Sequence, residues 1–342
     1  MKVDKEVFRQ RAFQLIAANG LGVASRLAEE LGISRAAASK RLHTLLQEGV
    51  IEAQGTTRSR ELRLRVLSQD VREYPCGGLD EDRVWREVFR PIVADLPENV
   101  REIWAYGVTE MVNNAIDHSG SQTLQVGVTR DVLRTEGWVH DEGEGIFLKI
   151  QRALGLYDPR EAILELAKGK LTTDPEHHSG EGIFFSSRVF DSFSIRSGAL
   201  VFVHDPDAGG HEDWLLERSA TALGTTVLMS LANNSQRRSQ EVFDEFTGPE
   251  EFSFSRTVVP VRLAQYEGEK LLSRSQAKRL SMRFERFRFV VLDFAEVVEI
   301  GQAFADELFR VFALAHPQVE LTAIRTTLAV QQMIQRARTA NL

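Results

Sequence analysis

Apolar residues recur at helical spacing early in the chain. From Val23 to Leu46 it reads VASRLAEELGISRAAASKRLHTLL, and Leu27, Leu31, Ile33, Leu42 and Leu45 fall on a helical period broken at Gly32. This predicts two helices joined by a turn at Gly32, the second capped by the Ser34 hydroxyl and closed at Gly49. Val50-Ile51-Glu52 and the alternating Leu62-Arg63-Leu64-Arg65-Val66 then flank a polar tip from Gly55 to Arg60, which predicts a two-stranded hairpin.

A second helical pattern runs from Trp104 to His118. Trp104, Val108, Met111, Val112 and Ala115 gather on one side, while Glu110, Asn114 and Asp117 gather on the other. Three glycine-bearing segments follow: Val139-His140-Asp141-Glu142-Gly143-Glu144-Gly145-Ile146, His178-Ser179-Gly180-Glu181-Gly182-Ile183-Phe184, and Ala222-Leu223-Gly224-Thr225-Thr226-Val227, which runs into a strand. Between the first two, Asp158 to Lys170 predicts a short helix that starts after Pro159 and stops at Gly169. The polar run from Ala232 to Ser239, with Gly248-Pro249 after it, predicts a boundary. Beyond it the pattern alternates: Val258 to Val261, a helix from Ser273 through Phe287, the buried strand Phe289 to Phe294, a helix through Phe304 and Phe312, the strand Val319 to Ile324, and an amphipathic helix to Arg338. Such alternation predicts a mainly parallel sheet.

Composition narrows the setting. With 342 residues, 43% of them hydrophobic and 27% charged, the chain predicts a folded, multidomain protein. Its one cysteine, Cys76, excludes an internal disulfide and points to a reducing, cytoplasmic location. The longest apolar runs fall far short of the ~18 residues of a membrane span, and Lys2, Asp4, Lys5 and Glu6 do not open a signal peptide, so no membrane partner is expected. The net charge of −7 hides an asymmetry: residues 1–70 hold twelve Lys and Arg against eight Asp and Glu, a local excess of +4 that leaves −11 on the rest.

The order of turn, cap, helix and basic hairpin over residues 1–70 resembles the winged helix-turn-helix family. That resemblance implies DNA as a partner, met by Ser34, Arg35, Ser39 and Lys40 on the second helix and by Arg58 and Arg60 at the hairpin tip. Winged helices also act as protein adapters. A local +4 implies few phosphate contacts per copy, so a homodimer with two half-site readers is the expected DNA-binding form.

The helix and the three glycine segments, taken in order over residues 75–232, resemble the GHKL ATPases, the superfamily of gyrase, MutL ATPases, sensor histidine kinases and anti-sigma-factor kinases. The resemblance implies a Bergerat-type α/β sandwich that binds ATP and Mg²⁺. It places Asp141 on the adenine amino group, where a carboxylate accepts a hydrogen bond that guanine's carbonyl cannot donate. Gly143, Gly145, Gly180 and Gly182 let backbone approach the base and phosphates. Asn114 corresponds to the Mg²⁺ ligand, Glu110 to the general base, and Thr225 to a contact with adenine or its water. Asp117 either supports the adenine edge or metal shell or solvates its helix, and Lys170, in the place of the ATP lid, either reaches phosphates or stays in solvent. His118, His140, His177 and His178 have no metal-ligand spacing. Val84 to Leu96 is too short for the phosphoacceptor hairpin of a sensor kinase, which argues against histidine autophosphorylation.

After a linker at 233–251, residues 252–342 resemble STAS-like βα domains, on Leu292-Asp293-Phe294 and Ile300-Gly301-Gln302-Ala303-Phe304-Ala305-Asp306-Glu307-Leu308. The turn at Ile300 to Ala303 lacks the phosphorylatable hydroxyl of anti-sigma antagonists, so protein interaction is the expected role. The fold class expected is therefore multidomain α/β and α+β: a winged helix, a GHKL sandwich and a STAS-like domain. The expected function is a cytosolic transcription regulator whose DNA or partner binding follows nucleotide state, with slow Mg²⁺-dependent ATP hydrolysis. The alternative is a serine/threonine kinase of the anti-sigma type acting on a separate protein. A DNA-remodelling ATPase would need a transducer domain after the Gly-Thr strand, and none is apparent.

Overall fold

The computed structural model describes residues 3–55, 60–172, 180–206, 213–247, 253–265 and 269–339, and the statements below concern those residues. Three helices open the chain: α1 (Lys5–Ala18), α2 (Val23–Leu31) and α3 (Arg35–Gln47). Asp4 caps α1 by accepting from Glu6 N at 2.8 Å, and Ser34 caps α3 by accepting from Ala37 N at 3.1 Å. Gly32 closes α2 at φ 62°, as the broken period predicts. Strands β1 (Ile51–Gln54) and β2 (Glu61–Leu64) pair antiparallel, and Leu21 bridges Glu61 on the outer side. Phe8, Ala12, Leu27, Ala38 and Leu42 form a core of their own, to which Val132 and Leu133 add two side chains from the next unit.

That next unit begins with β3 (Ser68–Pro75), a helix α4 (81–93, with a wide turn at its centre) and the long α5 (Glu98–His118). Strands β4 (Thr123–Arg130) and β5 (Arg134–Asp141) follow, then α6 (Ile146–Leu154), α7 (Glu161–Lys168), α8 (Gly182–Val189) and the long strands β6 (Ser192–His204) and β7 (Asp213–Ala232). The five strands make one antiparallel sheet in the order β3-β4-β5-β7-β6. Its inner face carries α5 and α8: the Trp104 indole stacks on Phe89 and meets Phe190 edge-on at 4.9 Å. Trp138 and Leu228 lie on the outer face, half-buried, with Val71 exposed beside them.

The C-terminal unit is α9 (Ser239–Phe246), β8 (Arg256–Pro260), α10 (Arg274–Ser281), β9 (Phe289–Asp293), α11 (302–315), β10 (Glu320–Ile324) and α12 (Leu328–Thr339). Its three strands are parallel, in the order β10-β9-β8, as the strand and helix alternation predicts. Ser273 and Gln276 close a reciprocal capping box at the start of α10.

The stretch 233–251, expected to be a linker, differs from that expectation. Within it α9 presents Phe243 to Tyr106 at 5.6 Å and to Phe185 at 4.3 Å, and buries Phe246 beside Phe184 at 5.0 Å. Phe254 and Phe287 continue this aromatic run into the C-terminal sheet, so that the central and C-terminal units share one continuous core. An amphipathic helix with two phenylalanines gains too much by burial to remain a tether, since each buried aromatic contributes about 2 to 3 kcal/mol.

Candidate functional site

Four separated stretches of sequence meet around one cavity of about 300 Å³, at the lower end of the range for small-molecule sites. Helix α5 supplies Glu110 and Asn114, one turn apart on the face that its apolar stripe turns away from the core. The end of β5 supplies Asp141, the turn into α6 supplies Gly145, and β7 supplies Thr225. Gly180 and Gly182, at the start of α8, close the side next to Glu110.

Two glycines explain why these stretches can touch. At Gly182 a Cβ would stand 1.9 Å from the Glu110 Oε2, so any larger residue there would push that carboxylate aside. At Gly224, with φ 66°, a Cβ would stand 1.8 Å from the backbone oxygen of Asp141, an atom that cannot move without moving the strand. The Thr225 hydroxyl then accepts from Ile146 N at 3.0 Å, tying β7 to the first turn of α6.

Asp141 is 6% exposed and accepts from Gly143 N at 2.9 Å. Burial pushes its carboxyl above the usual range, while the N–H groups of Gly143 and Thr225 pull the other way. A carboxylate at the floor of a half-apolar cavity is a strong acceptor for a neutral donor. The Asn114 Nδ2 is buried and makes no hydrogen bond among the described residues. Burying an amide without a partner costs free energy. Beside Glu110, the Tyr106 hydroxyl is driven well above its usual range by burial and by the Glu110 and Glu181 carboxylates, and burial also raises Glu181.

Other expected site residues stand outside the cavity lining. Gly143 packs against Ser119 and serves the cavity only through its N–H to Asp141. Asp117 is exposed on α5. Lys170 turns to the C-terminal unit, where its Nζ donates to the Arg286 carbonyl at 3.1 Å and lies 5.3 Å from the Phe287 ring. The Nδ1 of His140 meets the Thr226 hydroxyl at 2.9 Å, and His177 and His178 lie outside the described residues. Among the described residues no group of three His, Cys, Asp or Glu is placed to hold a metal ion.

Lys149 is a lining residue that sequence reading missed. From α6 its Nζ donates to the His118 carbonyl at 2.6 Å, which leaves donors for an anionic ligand. Its position one turn after Gly145 was the available signal, and only the packing of α6 against the end of α5 gives it meaning. His118, Ser119, Glu144 and, from the segment after α7, Leu171 and Thr172 complete the wall.

On the N-terminal unit, Ser34, Arg35, Ser39, Lys40 and Arg60 are all exposed, and Arg58 lies outside the described residues. Ser34 spends its oxygen on the cap of α3. Several neighbouring cations are engaged by carboxylates: Arg9 pairs with Glu48, Arg11 with Glu30 and Arg63 with Glu61. Arg35 and Lys40 form no ion pair among the described residues, so α3 presents them to solvent.

Residues 276–331, from α10 to the first turn of α12, match the family model described as a STAS-like domain of unknown function (DUF4325). The chain matches no curated protein and no solved structure. Among the described residues no helix is long and apolar enough to cross a membrane.

Proposed function

We propose that the central unit is a GHKL-type nucleotide domain that binds ATP with Mg²⁺, and that its nucleotide state controls what the flanking units bind. The observation that carries this reading is the convergence of Glu110, Asn114, Asp141, Gly182 and Thr225, from four separate segments, on one cavity with a buried carboxylate at its floor. Asp141 accepts from the adenine amino group and discriminates against guanine, which offers a carbonyl oxygen there. The unpartnered Asn114 Nδ2 is a donor suited to a phosphate oxygen, and Gly182 lets the start of α8 sit against the Glu110 carboxylate. Bound Mg²⁺ would draw charge from the phosphate oxygens. Glu110 takes a proton from water as its oxygen bonds to the γ-phosphorus, and the bond to the ADP oxygen breaks.

Slow hydrolysis is expected, because no partner-supplied catalytic group is identifiable and Glu110 is the one base assigned. The N-terminal unit is read as a winged helix that binds DNA through α3 and the hairpin, as a homodimer, with the STAS-like domain as a protein-binding unit. Serine kinase chemistry on a separate protein is the second class of activity that a bound ATP would permit. Calorimetry tests the reading: ATP with Mg²⁺ should bind well in preference to GTP, and Asp141→Asn should weaken ATP by about 1.5 to 3 kcal/mol, roughly 10- to 150-fold. Equal affinity for ATP and GTP would end the adenine assignment.

A further inference from the structure

The segment between the two glycine motifs is held at one end by the STAS-like domain. All eight residues of α7 are buried, its three charged side chains included. Glu161 receives Arg279 at 3.4 Å, and Glu165 receives Lys168 at 2.5 Å and Arg283 at 3.0 Å. The Thr257 hydroxyl donates to the Lys168 carbonyl at 2.8 Å, and the Lys168 Nζ donates to the Met282 carbonyl at 2.9 Å. Arg279, Met282 and Arg283 lie within the 276–331 match, while Thr257, on β8, precedes it.

Arg283 occupies the centre of this contact. It is 6% exposed, and its backbone sits at φ 67°, a conformation that a side-chain-bearing residue adopts only where its surroundings over-determine it. One arm of its guanidinium meets Glu165, and the other donates to the carbonyls of Gly169 and Lys170. The next two residues, Leu171 and Thr172, are walls of the cavity, and Leu171 N donates to the Gly180 carbonyl at 3.0 Å. The fork of Arg283 therefore holds two carbonyls, that of Lys170 together with Arg286 at 3.2 Å, and their immediate successors line the cavity near Gly180 and Gly182. Lysine has no such fork and cannot reproduce the geometry.

Resting on the reading of the cavity as a nucleotide site, we propose that Arg283 is a positioning residue of that site: the STAS-like domain, through Arg283, sets the strip 169–172 against the phosphate end of the cavity. The proposal makes the domain part of the binding site, and any ligand that moves the 282–286 turn alters ATP affinity, with the reciprocal effect required by linkage.

The test uses the full chain and three variants. Arg283→Lys keeps the charge beside Glu165 and loses the fork, Arg283→Met loses both, and Thr257→Val removes a neighbouring anchor of the same strip at lower risk to folding. ATP and adenosine affinities are measured with Mg²⁺, together with thermal unfolding and hydrogen exchange of the amides of 161–172. Thr257→Val should unfold near the wild-type temperature and Arg283→Lys a few degrees below it, and both should bind ATP at least fivefold more weakly with adenosine unchanged, while the Leu171 amide exchanges at least tenfold faster. Equal losses for ATP and adenosine, or an unchanged exchange rate at Leu171, would overturn the positioning role. A wild-type chain that binds neither ligand would refute the nucleotide reading, and the exchange measurement would still decide whether Arg283 holds the strip.

Discussion

Replacing Glu165 by Ala should be among the costliest single substitutions in the chain. Glu165 is 1% exposed and lies between the Lys168 ammonium and the Arg283 guanidinium, with Lys168 itself fully buried 5.4 Å from the Phe284 ring. Removing the carboxylate leaves two cations facing each other in the core. Breaking a buried pair in this way costs about 3 to 5 kcal/mol, a fifth or more of the ~5 to 15 kcal/mol that holds a typical protein folded. Relief comes from deprotonation. Burial already lowers the Lys168 amine, and Glu165 is the first group that holds it up, so without Glu165 it falls further. A lysine that titrates lower in the folded state than its unfolded value of about 10.4 makes the unfolded chain bind more protons in that interval, so stability rises with pH across it. The penalty in Glu165→Ala should therefore shrink as pH rises toward the unfolded lysine value of about 10.4. Guanidinium unfolding of wild type and variant at several pH values measures both. Exchanging Glu165 and Lys168 for apolar residues, as Glu165→Leu with Lys168→Met, should recover only the part of the loss that comes from Lys168, because Arg283 still lacks its carboxylate. A loss below about 1 kcal/mol at neutral pH, or one that grows with pH, would show that the triad is not the buried charge balance argued from its geometry.

Two further outcomes follow from the site and from α3. In Gly182→Ala the new Cβ displaces only the end of the Glu110 side chain, so stability should change by about 1 kcal/mol or less while phosphate release from ATP falls at least tenfold; thermal unfolding and a phosphate assay check the split, and an unchanged rate would separate Glu110 from catalysis. Arg35→Ala with Lys40→Ala should weaken binding to any duplex and flatten the salt dependence by about one unit per lost phosphate contact; a protein with no salt-sensitive duplex binding would favour an adapter role for the N-terminal unit.

Local signals carried most of what the sequence disclosed. The break at Gly32, the Ser34 cap, the face shared by Glu110 and Asn114 and the strand–helix alternation of the last ninety residues all depend on neighbours within a few positions. What escaped depends on partners far away. Strand β3 reads SQDVREYP and buries only Tyr74 fully, because an edge strand packs little; nothing but its pairing with β4 makes it a strand. In α9 a polar run outweighed Phe243 and Phe246, whose partners lie more than fifty residues earlier. The charges of α7 have the look of a solvated lid, yet Glu161 and Glu165 are buried because arginines over one hundred residues later meet them, and Lys168 because it donates to Glu165 and to the Met282 carbonyl. Lys170 follows the same logic: at φ 49°, just after Gly169, it is turned to Phe254 and Phe287 and not to the cavity.

These placements change how nucleotide state would reach the two flanking units. The N-terminal core receives Val132 and Leu133 from the turn between β4 and β5, and Leu67 N donates to the Arg130 carbonyl at the same end of the sheet. Asp141 lies at the opposite end of β5, seven residues from Arg134, about 24 Å at ~3.4 Å per residue. A strand paired on both sides along that length transmits little local rearrangement, since changes at one end must be absorbed by ladders that do not have a second stable register. The STAS-like domain, by contrast, touches the residues that precede the cavity wall. In a single chain, ATP should therefore shift the binding of a STAS-domain partner more strongly than the binding of DNA, and a large effect on DNA requires a second route, of which ATP-dependent pairing of two chains is the simplest because it alters how two α3 helices are spaced without bending either sheet.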